Sequence, residues 1–336
     1  MAKNERSVIS LADLGKGDVA RAGGKGANLG EMVRAGFPVP PGFVITASSF
    51  LAAMDQGGVR SALREAMEKV NPDDPAALGA VSKEMEALVR KAGLPSSLRS
   101  EIGDAMATLG KNALFAVRSS ATSEDAGATS FAGMHDTYTN VSGESALFER
   151  IVDCWASLYG ERVVSYRKSQ GLTEEPVIAV VVQKMIASTR SGVIFTVDPT
   201  AADSTQMVIE AVFGLGEGIV SGQLEPDTYT VSRTGPSLLQ TRVGRKAFKI
   251  VREAGGAERQ VPLLGEAATK RVLSDAEALE LTQLALKVEA HFGVPQDIEW
   301  AEEGGRWFLV QTRPITTLAP KDASEPSVLV LSLIHI

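Results

Sequence analysis

An α+β fold with mixed or antiparallel sheets is predicted for this chain, and three observations predict it. Three strand-like runs between residues 193 and 231 follow one another without a crossover helix, because Pro226 arrives too early for one to finish. Two further strands near the C-terminus are joined by Glu302-Glu303-Gly304-Gly305, whose glycines favour an antiparallel hairpin. Amphipathic helical segments occupy separate stretches of the chain. The 336 residues are enough for roughly two domains of about 150 residues each.

The first element is a glycine-rich patch, residues 22–28, that leads into a helix with apolar residues on one face. This helix is predicted to end at Gly36, where three prolines follow within five residues. A short strand is predicted at 43–46. Residues 47–110 are predicted to be mainly helical, with breaks where prolines occur.

The middle of the chain is predicted to contain two strands and a long helix. A strand over 112–117 delivers Arg118 at its end, and a loop of small and polar residues, 119–130, follows. One helix is predicted from Glu144 to Ser169 because its apolar residues recur at helical spacing. Residues 177–182 form a continuous β-branched run, which is typical of a buried strand.

The C-terminal part is predicted to be rich in strands. Ser274 and Glu277 form a capping box that opens a helix, and Gly293 ends it. The predicted strands of this part are 193–197, 207–212, 227–231, 297–301 and 307–313.

Composition excludes several classes of protein. Hydrophobic residues make up 44% and charged residues 22%, which is unlike a disordered chain. Lys+Arg 34 against Asp+Glu 41 gives a net charge of −7, so we expect no nucleic-acid partner. The single cysteine, Cys154, excludes a disulfide within the chain and a cysteine-rich metal site. There is no signal-peptide pattern and no apolar stretch of about 18 residues, so we expect a cytoplasmic protein without membrane contact.

The glycine-rich segments fit neither familiar phosphate-binding loop. In a P-loop the Gly-Lys pair precedes Ser or Thr, whereas Gly24-Lys25 precedes Gly26 and Val19 occupies the first glycine position. A dinucleotide fingerprint requires a crossover helix, but the segment 214–218 is followed by another predicted strand. The residues instead favour a nucleotide site built between sheets.

Three residues upstream of the C-terminal strands supply groups that such a site requires. Lys25 lies in the glycine-rich patch, where backbone can approach a phosphate. Arg118 carries a planar fork that matches phosphate oxygens. Gln183 ends a buried strand, where free backbone groups could pair with adenine.

Three more candidates lie on the C-terminal hairpin. Glu299 and Gln311 offer oxygen ligands, which Mg²⁺ prefers and shares with substrate phosphates. Gln311 and Arg313 lie on one face because strand side chains alternate. Glu299 faces the same side as these two residues only if the connection at 302–305 has an odd length or contains a bulge. A plain two-residue turn at Gly304-Gly305 would point Glu299 to one face of the hairpin and Gln311 with Arg313 to the other.

Nine motifs then occur in a recognisable order. They are GGKGANLGEM, PVPPGFVIT, AVRSSATSED, SFAGMHDTYTNV, CWASLY, VVVQKM, SGVIFTVDP, GLGEGIVSG and the two-part motif DIEWA…VQTRPIT. From about Val8 to Thr317 the chain resembles the ATP-binding domain of the phosphoenolpyruvate synthase / pyruvate phosphate dikinase family. The resemblance implies an ATP-grasp-like fold of two subdomains, residues 1–182 with the phosphate-binding Lys and Arg, and 183–317 with the adenine- and Mg²⁺-binding part. Residues 318–336 read as a linker and a truncated or non-native tail.

The resemblance also implies roles for individual residues. ATP and Mg²⁺ are the implied cofactors, and the implied nucleotide-site residues are Lys25, Arg118, Gly133, Thr137, Gln183, Glu299, Gln311 and Arg313. Lys25, Arg118 and Arg313 would neutralise phosphoryl charge and so act in catalysis. Glu299 and Gln311 would hold Mg²⁺. Gly133 and Thr137 would belong to a loop that covers the phosphates, and Gln183 would lie near adenine.

The family's mechanism implies a partner, a swivelling domain whose histidine receives the β-phosphoryl group of ATP. That histidine lies in a Thr-Ser-His motif, and none of this chain's three histidines, His135, His291 and His335, lies in one. We therefore expect a phosphotransferase fragment that binds ATP without complete turnover. The expected whole reaction converts ATP, pyruvate and water to AMP, phosphoenolpyruvate and phosphate. A rifampin phosphotransferase and a stand-alone ATP-binding module remain alternatives.

Overall fold

The computed structural model describes residues 6–71, 74–110, 112–122, 136–199, 205–220, 222–253 and 256–315. The chain forms two compact units, residues 1–34 with 41–185 and residues 35–40 with 186–336. Each unit combines helices with antiparallel sheets, which confirms the α+β class. The division at 182 and 183 stays a prediction, and the predicted tail, 318–336, lies outside the described residues. Within the described ranges no helix is long and apolar enough to cross a membrane.

The first unit contains a five-stranded antiparallel sheet in the order β1-β2-β5-β3-β4. Its strands are β1 (Val8–Ser10), β2 (Gly42–Ile45), β3 (Leu114–Ala121), β4 (Thr137–Ser142) and β5 (Ile178–Lys184). Its helices are α1 (Val19–Arg34), α2 (Ala47–Gln56), α3 (Arg60–Glu68), α4 (Pro75–Ala92), α5 (Ser96–Leu109), α6 (Glu144–Ser157) and α7 (Glu161–Ser169). Two 3₁₀ turns, Leu11–Asp13 and Lys16–Asp18, precede α1.

The two faces of this sheet carry different residues. One face is apolar, and residues such as Phe115, Val117 and Val182 join the main core with helices α2 to α6. The opposite face receives α1, because Gly26 comes so close to Val44 and Val181 that a Cβ there would lie 3.1 and 3.6 Å from their methyl groups. The sheet therefore has a core face and an α1 face.

Three predicted elements of the first unit differ from the structure. Arg118 lies inside β3 rather than at its end, because residues 119–121 continue the pairing with β5. The single helix predicted over 144–169 is in fact two helices, α6 and α7. The break lies before α7, where Gly160 is the N-cap residue. The glycine-rich patch is itself helical, and a kink at Gly23 divides α1.

The second unit contains a six-stranded antiparallel sheet in the order β13-β12-β6-β7-β8-β9, and a separate β10-β11 hairpin. The strands are β6 (Arg190–Phe195), β7 (Gln206–Phe213), β8 (Asp227–Ser232), β9 (Ser237–Arg242), β10 (Phe248–Arg252), β11 (Glu258–Pro262), β12 (Gln296–Glu303) and β13 (Arg306–Pro314). The helices are α8 (Glu217–Val220) and α9 (Asp275–Phe292), with a 3₁₀ turn at Gly265–Thr269.

Helix α9 covers one face of the six-stranded sheet. The predicted capping box is confirmed, because the Ser274 side chain accepts from the Glu277 N–H and the Glu277 carboxylate accepts from the Ser274 N–H. Arg190 on β6 contacts Glu277 of α9 and Glu302 of β12. Glu302 therefore lies on the α9 face, and residues that alternate with it lie on the other face.

Candidate functional site

Three predicted site residues of the first unit lie together on the α1 face of its sheet. Arg118 is directly opposite Thr137 on β4 and Val181 on β5. Gln183 is two residues beyond Val181, so it points to the same side. Arg118 and Gln183 are 4% and 3% exposed, which is unusual for polar side chains and holds them in defined positions.

A β-bulge places Thr137 on that face. Phe115 is opposite Val141, but Val117 is opposite Tyr138, so β4 contains one extra residue at this point. Asn140 within it has a φ of 56°, which is uncommon for a residue other than glycine. Its N–H contacts the sulfur of Met185 at 2.9 Å. The extra residue reverses the alternation of β4 and turns Thr137 toward Arg118.

Lys25 lies in the first turn of α1 after the kink at Gly23 and is half-buried. Because α1 packs on the same sheet face that carries Arg118, the structure brings a lysine and an arginine to one side of the first unit. The remaining predicted residue of this group, Gly133, lies outside the described residues.

In the second unit, the predicted hairpin places its candidates on one face. Glu299 is directly opposite Gln311, and Asp297 is directly opposite Arg313. Because directly opposite residues in an antiparallel pair project to the same side, all four side chains share the face that α9 does not cover. Glu299 and Gln311 are 6% and 4% exposed.

A β-bulge aligns these residues, but it does not lie in the connection at 302–305, where it was predicted. The connection is a two-residue turn at Gly304-Gly305, where φ values of 60° and 80° require glycine. The bulge lies instead at Val310, because Glu299 is opposite Gln311 while Trp300 is opposite Leu309. The extra residue lets Leu309 pack on the buried side and still turns Gln311 to the side of Glu299.

Arg313 is held by a buried carboxylate. Its Nε and Nη2 atoms donate to Asp297 Oδ2 at 2.8 and 2.7 Å. Burial raises the pKa of Asp297, and the charge and hydrogen bonds of Arg313 oppose that rise. These contacts hold the guanidinium of Arg313 at Asp297, on the strand that also carries Gln311.

A second carboxylate, Glu210 on β7, shares this face. Val193 on β6 lies directly between Glu299 and Glu210 in the ladder. With strands about 4.8 Å apart, the backbones of the two glutamates are roughly 10 Å apart. Burial raises the pKa of Glu210, and Arg242 opposes that rise. The carboxylates of Asp297, Glu210 and Glu299 thus share this sheet face with the Gln311 amide and the Arg313 guanidinium.

The donor set suits a hard cation that also binds the ligand. No group of three or more His, Cys, Asp or Glu residues able to hold a metal exists within the described ranges. Glu299 and Gln311 offer two adjacent oxygen donors, and Asp297 is already engaged with Arg313. Two protein oxygens are what Mg²⁺ commonly takes when phosphates and water complete its shell. The residues present therefore fit Mg²⁺ accompanied by a polyphosphate.

Another buried charged pair has a structural role. Asp227 and Lys246 are both fully buried and contact each other. The Asp227 carboxylate also accepts from the Gly244 and Val272 N–H groups, at 3.0 and 2.7 Å. Its acceptor capacity is used within the protein, so it offers nothing to a ligand.

The single cysteine has no reactive role. Burial raises the pKa of the Cys154 thiol to about 12, which keeps it protonated and unreactive.

Sequence reasoning did not assign Asp297 or Glu210 to the site. A signal for Asp297 was present, because Asp-x-Glu on one strand and Gln-x-Arg on the next form complementary pairs when the strands are antiparallel. Glu210 had no such signal. It is a single acid in an apolar strand, and only the register across β6 relates it to Glu299.

Comparisons with known proteins identify the family of this chain. The family profile described as "Pyruvate phosphate dikinase, AMP/ATP-binding domain" matches residues 19–329. A probable phosphoenolpyruvate synthase of Archaeoglobus fulgidus is 44% identical over 325 residues, which cover 95% of this chain and 43% of the relative. A rifampicin phosphotransferase of Streptomyces sviceus is 40% identical over 94% of this chain and 36% of its own length. A phosphoenolpyruvate synthase of Pyrococcus furiosus is 35% identical, with 95% of this chain and 45% of the relative covered. The chain spans less than half the length of each.

Proposed function

The chain belongs to the pyruvate phosphate dikinase AMP/ATP-binding domain family, and from that premise we propose that it is the ATP-binding portion of a phosphoenolpyruvate synthase (pyruvate, water dikinase). Its α+β architecture with antiparallel sheets is consistent with an ATP-grasp-like domain. The whole reaction converts ATP, pyruvate and water to AMP, phosphoenolpyruvate and phosphate. The part assigned to this chain is to bind Mg·ATP and present its β-phosphoryl group to a histidine on another domain.

The pairing of Glu299 with Gln311 beside Arg313 is the observation that carries the proposal. It puts two oxygen donors and a planar cation on one sheet face. Glu299 and Gln311 would hold Mg²⁺, which when bound supplies charge neutralisation and orientation of the phosphates. Arg313 can donate two parallel hydrogen bonds to phosphate oxygens, which a lysine cannot do.

The residues of the first unit complete the proposed chemistry. Lys25 and Arg118 would neutralise negative charge on the phosphates as the phosphoryl group departs. Thr137 is the first residue of β4 rather than part of a loop, and it would contact the phosphates from that strand. Gly133 would belong to the loop that covers the phosphates, and Gln183 would lie near the adenine. The observation that supports these roles in the described part is the shared face of Arg118, Thr137 and Gln183.

Calorimetry with nucleotides tests the metal role directly. E299Q keeps the shape of the side chain and removes its charge, so we expect Mg·ATP binding at least about tenfold weaker. The same variant should bind ATP in EDTA no more weakly than wild type, because the carboxylate acts through the metal. E303Q, on the same strand and with the same change of charge, is the matched control. An absence of binding by folded wild-type chain at millimolar Mg·ATP would overturn the proposal.

A phosphorylation assay tests whether the phosphoryl-accepting histidine lies outside this part of the protein. The sequence as printed has no Thr-Ser-His motif, so we propose that it binds ATP but forms no phosphoenolpyruvate and no stable phosphohistidine. Labelled ATP should leave no acid-labile, base-stable phosphate on the chain. Detection of such phosphate would contradict this division and would point to one of the three histidines present.

A rifampin phosphotransferase is the second candidate, because a rifampicin phosphotransferase is also 40% identical to this chain. The residues proposed for Mg·ATP serve both reactions equally, since the acceptor is a separate molecule. Sequencing the gene beyond codon 336 distinguishes the candidates. A reading frame that encodes a pyruvate-binding barrel supports the synthase, and one that encodes a drug-binding domain supports the phosphotransferase.

A further inference from the structure

Ser120 joins the glycine-rich part of α1 to the strand that carries Arg118. It lies on β3 two residues beyond Arg118, on the same face, and is fully buried. Its hydroxyl donates to the Ala22 carbonyl at 2.7 Å and accepts from the Gly26 N–H at 3.1 Å. One side chain thus contacts both sides of the kink in α1, almost a hundred residues earlier in the chain.

The hydroxyl replaces a missing helix cap. Gly23 has φ 68° and ψ 172°, so the helix starts again at Gly24. The first N–H groups of a helix have no acceptor within the helix, and the Gly26 N–H is the third of them here. Such groups are normally satisfied by the side chain of the residue before the helix. Gly23 has no side chain and has no room for one, because a Cβ would lie 2.2 Å from the carbonyl oxygen and hydroxyl of Ser120. Ser120 therefore supplies the cap from another element.

We propose that Ser120 is a positioning residue that holds Lys25 in place relative to Arg118. Lys25 lies between Gly24 and Gly26, so the bond to the Gly26 N–H fixes the turn that carries the lysine. Arg118 and Ser120 are on one strand, and the cap makes the two cations parts of one rigid assembly. Pre-positioned charges lose less freedom when a polyphosphate binds. The inference rests on the proposed function, in which both residues bind phosphate.

Removal of the hydroxyl should lower the fraction of molecules in which this turn is formed. The apparent dissociation constant rises in inverse proportion to that fraction. A lost helix cap lowers the equilibrium constant for forming the turn by about five- to tenfold. That factor is the upper limit of the effect on the formed fraction, so S120A should bind Mg·ATP more weakly by up to about tenfold. Adenosine lacks the phosphates that Lys25 and Arg118 would contact, so its affinity should stay unchanged.

Ser119 provides a matched control. It is adjacent on β3, 1% exposed and on the core face, where its hydroxyl lies 3.4 Å from that of Ser157. S119A deletes the same group from the same strand without touching α1. Hydrogen exchange measured on both variants should show faster exchange at the amides of residues 24–28 in S120A only.

The experiment therefore compares wild type, S120A and S119A for Mg·ATP and adenosine affinity by titration, and for exchange of these amides. If S120A fails to fold, S120C and S119C replace the alanine variants, because a thiol is a weaker donor and acceptor than a hydroxyl and the pair shares the same change of size. S120C should then bind Mg·ATP more weakly than S119C. Equal Mg·ATP affinity in the paired variants, or an equal loss for adenosine, would overturn the inference. A wild type that binds no Mg·ATP would instead overturn the proposed function, while the exchange result would still decide whether Ser120 orders the turn.

Discussion

Removal of the Arg313 guanidinium is expected to destabilise its own unit as well as to weaken nucleotide binding. The guanidinium is bound to Asp297, whose side chain is 12% exposed, whereas that of Arg313 is 30% exposed. Removing one partner of a fully buried pair costs about 3–5 kcal/mol. Because water reaches part of this pair, we expect R313M to lose about 1–3 kcal/mol of unfolding free energy near neutral pH.

The loss should shrink as the pH falls. Burial raises the pKa of Asp297 in the wild type, and Arg313 opposes the rise. Without Arg313 this pKa rises further, so the folded variant binds a proton more readily than the unfolded chain does. The resulting stabilisation is complete below the ordinary aspartate pKa of about 3.9 and is lost as the pH rises through the folded value. The difference between R313M and wild type is therefore largest at neutral pH.

Urea unfolding in a W155F background isolates the signal of this unit, because the two remaining tryptophans, Trp300 and Trp307, lie in the hairpin itself. Adding D297N to R313M should restore most of the stability, since no buried charge is then left without a partner. Mg·ATP binding should remain weak, because the proposed phosphate ligand is still missing.

The control for R313M is R306M, which removes an exposed guanidinium from the same strand. The Arg306 guanidinium lies over the Phe308 ring. It should unfold close to the parent. If R313M unfolds at the same urea concentration as R306M at neutral pH, or if D297N restores none of its stability, the reasoning about this pair is wrong.

Two further predictions concern the same sheet face. Deletion of Val310 removes the bulge but keeps Leu309 and Gln311 on opposite sides, so the Mg·ATP affinity measured by calorimetry should stay within about threefold of wild type. Deletion of Thr312 would put Gln311 and Arg313 on opposite sides, so it should weaken Mg·ATP binding at least about tenfold. Equal losses of affinity in the two variants would refute the role of the bulge. Burial raises the pKa of Glu210 in the folded state above the ordinary glutamate pKa of about 4.3. The free energy of unfolding of the wild type should therefore fall as the pH rises from about 4.3 through the folded-state pKa of Glu210. E210Q should remove this component in urea unfolding and E101Q, on an exposed helix face, should not; a pH profile shared by E210Q and wild type would show that Glu210 carries no such burial cost.

Elements with a strong local pattern were predictable from the sequence. The capping box at Ser274, the β-branched run of β5 and the C-terminal hairpin are all present, because each depends on contacts between near neighbours or on continuous burial. The break at Gly160 was missed, because apolar spacing continues across it and a single glycine lowers helix propensity by only about 1 kcal/mol.

The environment of the site residues was less predictable. Arg118 was expected at a strand end because small polar residues follow it. In the structure residues 119–121 continue β3 because they pair with β5, and the small side chain of Ser120 lies where α1 approaches the strand at Gly23. The role of Ser120 could not be seen in the sequence at all. It depends on two segments that are far apart in the chain and whose contact only the fold determines.

The two bulges show why sequence alternation alone could not locate the candidate residues. A strand that covers a core must keep apolar residues on one face, and strict alternation then fixes the side of every other residue. If β13 alternated regularly through Val310, Leu309 and Gln311 would share a face, so either a polar amide would be buried or a core leucine would be exposed. In β4, the extra residue near Asn140 does the same for Thr137 opposite Arg118. Each bulge gives up regular ladder pairing at one position, and each occurs within three residues of a proposed nucleotide ligand. In both units the local break in alternation therefore turns a proposed nucleotide ligand, Gln311 or Thr137, away from the core face.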